Sequence, residues 1–183
     1  MKFHKTSISN VYLVEIECIA DDRGFFARTF CHKEFLLHGL HSHFVQCNTS
    51  SNRRRGTLRG LHFQEEPFAE EKLIRCTSGA IYDVVVDLRE HSSTYCQWIS
   101  RELTSKNGHM LYIPEGCAHG FQTLEDNTEV FYQMTHEFVP SAAKGVRWDD
   151  PVFAIQWPLP VVAISPKDQQ YPLFQPQKTK GCF

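Results

Sequence analysis

Short runs of β-branched, aromatic and apolar residues recur roughly every ten positions along this chain, with Gly, Asn, Pro or charged turns between them. The pattern predicts strands over residues 11–17, 24–30, 44–49, 57–64, 72–77, 80–88, 97–104, 109–113, 120–124 and 129–138, and a last one over 153–157. A helical spacing stands out at 32–38, where Phe35 and Leu36 lie three and four residues after His32 and Gly39 follows as a stop. Many short strands with almost no helix argue for an all-β closed sandwich, jelly roll or barrel, with no more than minor peripheral helices. No repeat, low-complexity tract or linker divides the 183 residues, so the reading is one domain over 1–183.

In 80–88 the even positions Ala80, Tyr82, Val84, Val86 and Leu88 are apolar or aromatic, while the odd positions include Asp83 and Asp87. One face is therefore expected in the core, and the other, partly polar, is expected to line a cavity. Prolines 140, 151, 158, 160, 166 and 172 exclude the C-terminal third from central strands. That third should wrap the outside of the barrel and close one end.

The formal net charge of −2 supplies no basic field for nucleic acid, so an anionic ligand needs a local cluster. Arg53-Arg54-Arg55 is too short to be that field and reads as a solvated turn. Seven cysteines are scattered singly, with no C-x-x-C pair, which suits reduced thiols in a cytoplasmic protein better than a disulfide frame. Glu15 and Glu17 break the N-terminal apolar run, so no signal peptide is expected, and no stretch is long and apolar enough for a membrane partner. Dinucleotide-binding glycine fingerprints, a phosphate-binding P-loop and a nucleophile elbow are all missing.

The chemistry concentrates in Gly56-Thr57-Leu58-Arg59-Gly60-Leu61-His62-Phe63-Gln64. Strict alternation puts His62 with Leu58 and Gln64, and Arg59 on the opposite face. The two can share a pocket only if the strand bulges, and Gly60 between them permits it. On spacing alone, a surface Arg and a hydrogen-bonded buried His is the commoner outcome. In Ile113-Pro114-Glu115-Gly116-Cys117-Ala118-His119-Gly120-Phe121 a turn aims a second imidazole inward, either onto a ligand or in support of His62. Two imidazoles, with Gln64 where a metal site would want another His, are too few for a metal. Taken alone, Tyr132 reads as packing and Lys72, after the acidic residues at 65, 66, 70 and 71, as a solvated ion pair.

The ordered set is more specific than its members. Asp22-Arg23-Gly24-Phe25-Phe26, Val45-Gln46-Cys47-Asn48-Thr49-Ser50, G-T-L-R-G-L-H-F-Q, Lys72-Leu73-Ile74-Arg75, Asp83-Val84-Val85-Val86-Asp87-Leu88-Arg89, I-P-E-G-C-A-H-G-F, the Tyr132 strand and Gly145-Val146-Arg147-Trp148-Asp149-Asp150-Pro151 follow one another. From about Ile16 to Phe174 this resembles the dTDP-4-dehydrorhamnose 3,5-epimerase family of the cupin superfamily. The resemblance implies a double-stranded β-helix (a cupin jelly roll), a homodimer, and a nucleotide-diphosphate sugar bound inside the barrel without a cofactor. Matched residue by residue, it implies His62 as general base, Asp168 as its supporting carboxylate, Tyr132 as general acid and Lys72 beside the sugar's C4 oxygen. Arg23, Gln46, Asn48, Arg59, His119 and Lys167 match substrate contacts.

The implied activity inverts C3 and C5 of a nucleotide-linked 4-keto-6-deoxy sugar. Inversion at one centre, keto-isomerisation and non-catalytic sugar binding are the alternatives. Both carbons are α to the carbonyl, so their hydrogens can leave as protons to a neutral imidazole. Arg28, Cys47, Phe138 and Ala143 differ from residues common in the family, at positions expected to touch ligand rather than to move protons.

Overall fold

The computed structural model describes residues 1–176, which leaves Cys182 outside the described residues. One antiparallel sheet runs β1 (Lys2–Lys5), β2 (Tyr12–Glu15), β10 (His109–Ile113), β7 (Lys72–Ser78), β12 (Thr128–Met134), β5 (Gln46–Asn52). A second runs β13 (Ala143–Gly145), β6 (Leu58–Gln64), β11 (Cys117–Thr123), β8 (Ala80–Asp87), β9 (Trp98–Thr104). From β5 to β8 the chain changes sheet at every step, and after β9 it does so again through β10, β11, β12 and β13. That path is the double-stranded β-helix, the cupin jelly roll expected from the sequence.

Alternation decides what each strand contributes to the interior. Ile74, Cys76 and Val130 from the first sheet meet Ile81, Val85, Cys117 and Phe121 from the second in an inter-sheet core. Farther along the same strands the inward residues turn polar: Lys72 in β7, Tyr132 in β12 and His119 in β11 line a cavity. One end of the barrel is thus packed hydrocarbon and the other an open pocket.

The expectation for 80–88 needs correction. The even face is not the barrel interior. Val84 and Val86 point outward, where Val146, Phe153 and Ile155 of the C-terminal wrap cover them together with Trp98 and Trp157. The odd face holds Ile81 and Val85 in the inter-sheet core and buries Asp83 completely. Both faces of β8 are covered, so periodicity there reported polarity rather than inside and outside.

No strand forms over 153–157. The Phe153 and Ala154 N–H groups donate to the Asp150 carbonyl at 3.2 and 2.9 Å, closing a turn ahead of Pro158. Helix α1 spans His32–Leu37 and buries Phe35 against Phe30, Phe44 and Tyr112 on the outside of the first sheet. A second helix, α2 (Pro166–Gln169), was not anticipated. Its Ser165 cap accepts the Asp168 N–H at 3.0 Å, and Pro166 supplies a helical φ at its start. The strands β3 (Cys18–Asp21) and β4 (Gly24–Ala27) form a separate hairpin that leaves Ile19, Phe25 and Phe26 exposed. Among the described residues, all six cysteines are free, and no helix is long and apolar enough to cross a membrane.

Candidate active site

The spacing alone favoured a surface Arg59 and a buried His62, but the strand carries the bulge that a shared pocket requires. Against β11, His62 pairs with His119 and Arg59 with Phe121, so three residues of β6 span what two span in β11. The extra residue resets the alternation, and Arg59 and His62 both face the cavity while Leu61 stays outside. Gly60 is required twice over: its φ is +120°, and a Cβ there would lie 2.5 Å from the Gly120 Cα.

The cavity encloses about 780 Å³ and is lined from both sheets. That volume suits a small organic ligand. Gln46, Asn48, Lys72 and Tyr132 come from the first sheet, and Arg59, His62 and His119 from the second. His62 and Tyr132 therefore stand on opposite walls. Lys72 pairs with Met134, two residues along β12 from Tyr132. The C-terminal wrap closes one side with Ser165, Lys167 and Asp168. It is tied down where the Leu58 N–H donates to the Ala163 carbonyl at 2.8 Å.

His62 Nε2 lies 2.8 Å from Asp168 Oδ1, and the Gly60 N–H donates to Asp168 Oδ2 at 3.2 Å. Burial works to raise the Asp168 carboxyl, but the His62 hydrogen bond, its charge, and the Gly60 and Ser165 contacts outweigh it and hold the carboxyl below its ordinary value. An ionised Asp168 keeps the proton on Nε2, which leaves Nδ1 of a neutral imidazole as the basic atom. Burial, with Glu70 nearby, raises the Tyr132 phenol, while Arg59 opposes the shift; Tyr132 thus keeps its proton at neutral pH. Arg59 is aimed by Asn52, whose Oδ1 accepts from Nε at 2.7 Å.

His119 does not support His62. Its Nε2 lies 2.7 Å from Asp83 Oδ1, giving the cavity a second, buried imidazole–carboxylate pair. Burial raises the Asp83 carboxyl and His119 only partly offsets it. Lys72 is no solvated ion pair either: it is buried and contacts an equally buried Glu70. Each of the two cavity imidazoles is thus committed to a carboxylate. Among the described residues, no three His, Cys, Asp or Glu converge as metal ligands.

Arg23 is the one expected contact residue that its own cavity does not receive. It sits on the β3–β4 hairpin, 89% exposed and paired with Asp21. Of the four differing positions, Phe138 and Ala143 line the cavity. Cys47 and Arg28 do not line it, which corrects the expectation for both. Cys47 points outward between Gln46 and Asn48, and Arg28 reaches Glu34 at 2.9 Å.

The sequence reading missed Tyr171 and Glu70 as parts of the site, and it put Asp83 on a cavity-lining face where the structure buries it behind His119. Tyr171 meets the His62 ring edge to face, with centroids 5.9 Å apart, and also packs on Gly145. Lys167 Nζ lies 5.9 Å from the centre of the Tyr171 ring. The available signal for Tyr171 was its place three residues after Asp168, just past the end of α2.

The sequence profile described as dTDP-4-dehydrorhamnose 3,5-epimerase matches residues 5–176. A protein of that description from Sinorhizobium fredii is 43% identical, over 94% of this chain and 89% of its own length. A Bacillus anthracis dTDP-4-dehydrorhamnose 3,5-epimerase, solved with TDP and PPi bound, superposes with a TM-score of 0.92 at 41% identity. It covers 94% of this chain and 99% of its own. A Legionella pneumophila dTDP-6-deoxy-D-glucose-3,5-epimerase in complex with dTDP-4-keto-L-rhamnose gives 0.88 at 35% identity, with 94% and 92% covered. Motif order, fold and wall-to-wall placement of the imidazole and phenol agree with one another: this chain belongs to the dTDP-4-dehydrorhamnose 3,5-epimerase family.

Proposed function

We propose that this chain inverts C3 and C5 of dTDP-4-dehydro-6-deoxyglucose, giving dTDP-4-dehydrorhamnose, with His62 as base and Tyr132 as acid. The observation that carries the reading is the position of those two groups on facing walls of one cavity, with Lys72 on the phenol's side. At each centre Nδ1 of His62 takes the α-proton, and the C–H electron pair becomes a C=C bond to C4. The carbonyl oxygen acquires the charge and Lys72 Nζ stabilises it. The Tyr132 hydroxyl then protonates the same carbon from the other face, the enolate returns to the ketone, and solvent restores both side chains. Asp168 holds the imidazole's tautomer and balances its transient charge. No electron leaves the sugar, so the scheme needs no cofactor.

Arg59 and Lys167 at the cavity wall suit the diphosphate, with Gln46, Asn48 and His119 as further substrate contacts. Arg23, outside its own chain's cavity, is free to serve another copy's, and the exposed Ile19, Phe25 and Phe26 around it fit burial in a homodimer. Free thiols throughout the described residues suit a reducing compartment, and we place the reaction in the cytoplasm.

Incubation with dTDP-4-keto-6-deoxyglucose in deuterated water, followed by proton NMR, tests the reading. Both the C3 and C5 signals should disappear. Loss at only one would make this a single-centre enzyme, and binding without exchange would make it a sugar-binding module.

A further inference from the structure

Among the described residues, the buried carboxylates Asp87, Asp150 and Asp168 have both oxygens hydrogen-bonded, and the exceptions are informative. Asp87 is fully satisfied by Arg89, Ser92 and Thr94, and Asp168 by His62 and the Gly60 N–H. Among the described residues, only Glu70 Oε2 and Asp83 Oδ2 are buried side-chain oxygens without a hydrogen-bond partner. Asp83 is sealed from the cavity, whereas Glu70 lines it beside Lys72. A carboxylate oxygen withdrawn from water and left unpaired is costly, and a turn of the Glu70 side chain that presents it to a ligand donor in the cavity relieves the cost.

The partner atoms specify that donor. Glu70 Oε1 contacts Lys72 Nζ, and the pair is buried, with side-chain exposures of 3% and 9%. An ammonium has three donors and an ionised carboxylate only acceptors. With one donor spent on Glu70, Lys72 can still donate to a ligand oxygen, while Oε2 beside it can only accept. We propose that Glu70 and Lys72 together read an α-hydroxy ketone, Lys72 donating to the carbonyl oxygen and Glu70 Oε2 accepting from the hydroxyl on the adjacent carbon.

The inference rests on the proposed reaction and adds an orientation to it. In a 4-keto-6-deoxy sugar the ketone has two unlike neighbours. C3 carries a hydroxyl, which can donate. C5 carries the ring oxygen and a methyl group, which cannot. Glu70 therefore distinguishes the two sides of the carbonyl and fixes which α-carbon lies on its flank, acting as a specificity-determining contact.

The test compares binding of the 4-keto-6-deoxy nucleotide sugar with binding of its 3-deoxy analogue by calorimetry, in wild type, Glu70→Ala, Glu70→Gln and the volume-keeping Glu70→Met. Wild type should favour the 3-hydroxy ligand by about tenfold, the size of one hydrogen bond. Glu70→Ala and Glu70→Met should lose the preference, and Glu70→Gln, which retains an acceptor oxygen, should keep most of it. Equal affinities in wild type, or a preference that survives both apolar replacements, would overturn the inference and leave Glu70 as no more than the residue that holds Lys72. The deuterium experiment on wild type is independent. A Glu70-dependent preference without exchange would retain the contact and refute the epimerase reading.

Discussion

His62 is half open to the cavity and Asp168 almost closed off, and this asymmetry sets what each can do. In the proposed reaction the carboxylate fixes the imidazole's tautomer from behind. His62→Ala should lower turnover by about 10²–10⁴-fold with the barrel intact, and Tyr132→Phe should do the same while leaving binding unchanged, as initial rates and calorimetry would show. Full 3,5-epimerase activity in Tyr132→Phe would remove the phenol from the mechanism. Asp168 also leaves a mark on stability. Its folded carboxyl is held below the ordinary value, so its contribution is complete above roughly pH 4 and disappears as pH falls through the lower folded value. Urea melts of wild type and Asp168→Asn should therefore converge as the pH is lowered through that window. A constant difference would contradict the assignment.

The strand β6 shows how a sequence can be legible in one feature and opaque in the next. The Arg59-Gly60-Leu61-His62 spacing is incompatible with a shared pocket on a regular strand, so the residue types showed where a bulge was permitted but not that it forms. Gly60→Ala should cost roughly 1–3 kcal/mol, because it forces a left-handed φ on alanine and drives a methyl into the Gly120 backbone. Thermal melts would measure the cost, and the variant should lose ligand affinity as Arg59 is displaced. In β8 the same alternation misled, because the C-terminal wrap buries the outer face as thoroughly as the barrel buries the inner one. Helix α2 was hidden for another reason. Four residues that begin with a proline give no periodicity to read, so Asp168 could be reached only through resemblance. Tyr171 and the Asp83–His119 pair depend on contacts between segments far apart in sequence, which local pattern does not encode.

At the scale of the whole molecule, the proposed homodimer rests on the β3–β4 hairpin. That hairpin presents Ile19, Phe25 and Phe26 to solvent and holds Arg23 outside its own chain's cavity. If the arginine serves a second copy, Arg23→Ala and His62→Ala proteins, each weak alone, should regain activity when mixed and allowed to exchange subunits. In the mixed dimer one cavity then has both groups. Absence of rescue, with subunit exchange verified by mass, would put Arg23 outside the reaction. Phe25→Asp with Phe26→Asp should shift the sedimentation coefficient toward the monomer.

The carboxylate behind His62 reaches the barrel on a short helical turn laid over its rim, 106 residues away along the chain. If so short an element opens at a lower free energy than the sheets it lies on, it lifts while they hold. On gentle warming, catalysis should therefore fail several degrees before the β-sheet circular dichroism changes, and cooling should restore it.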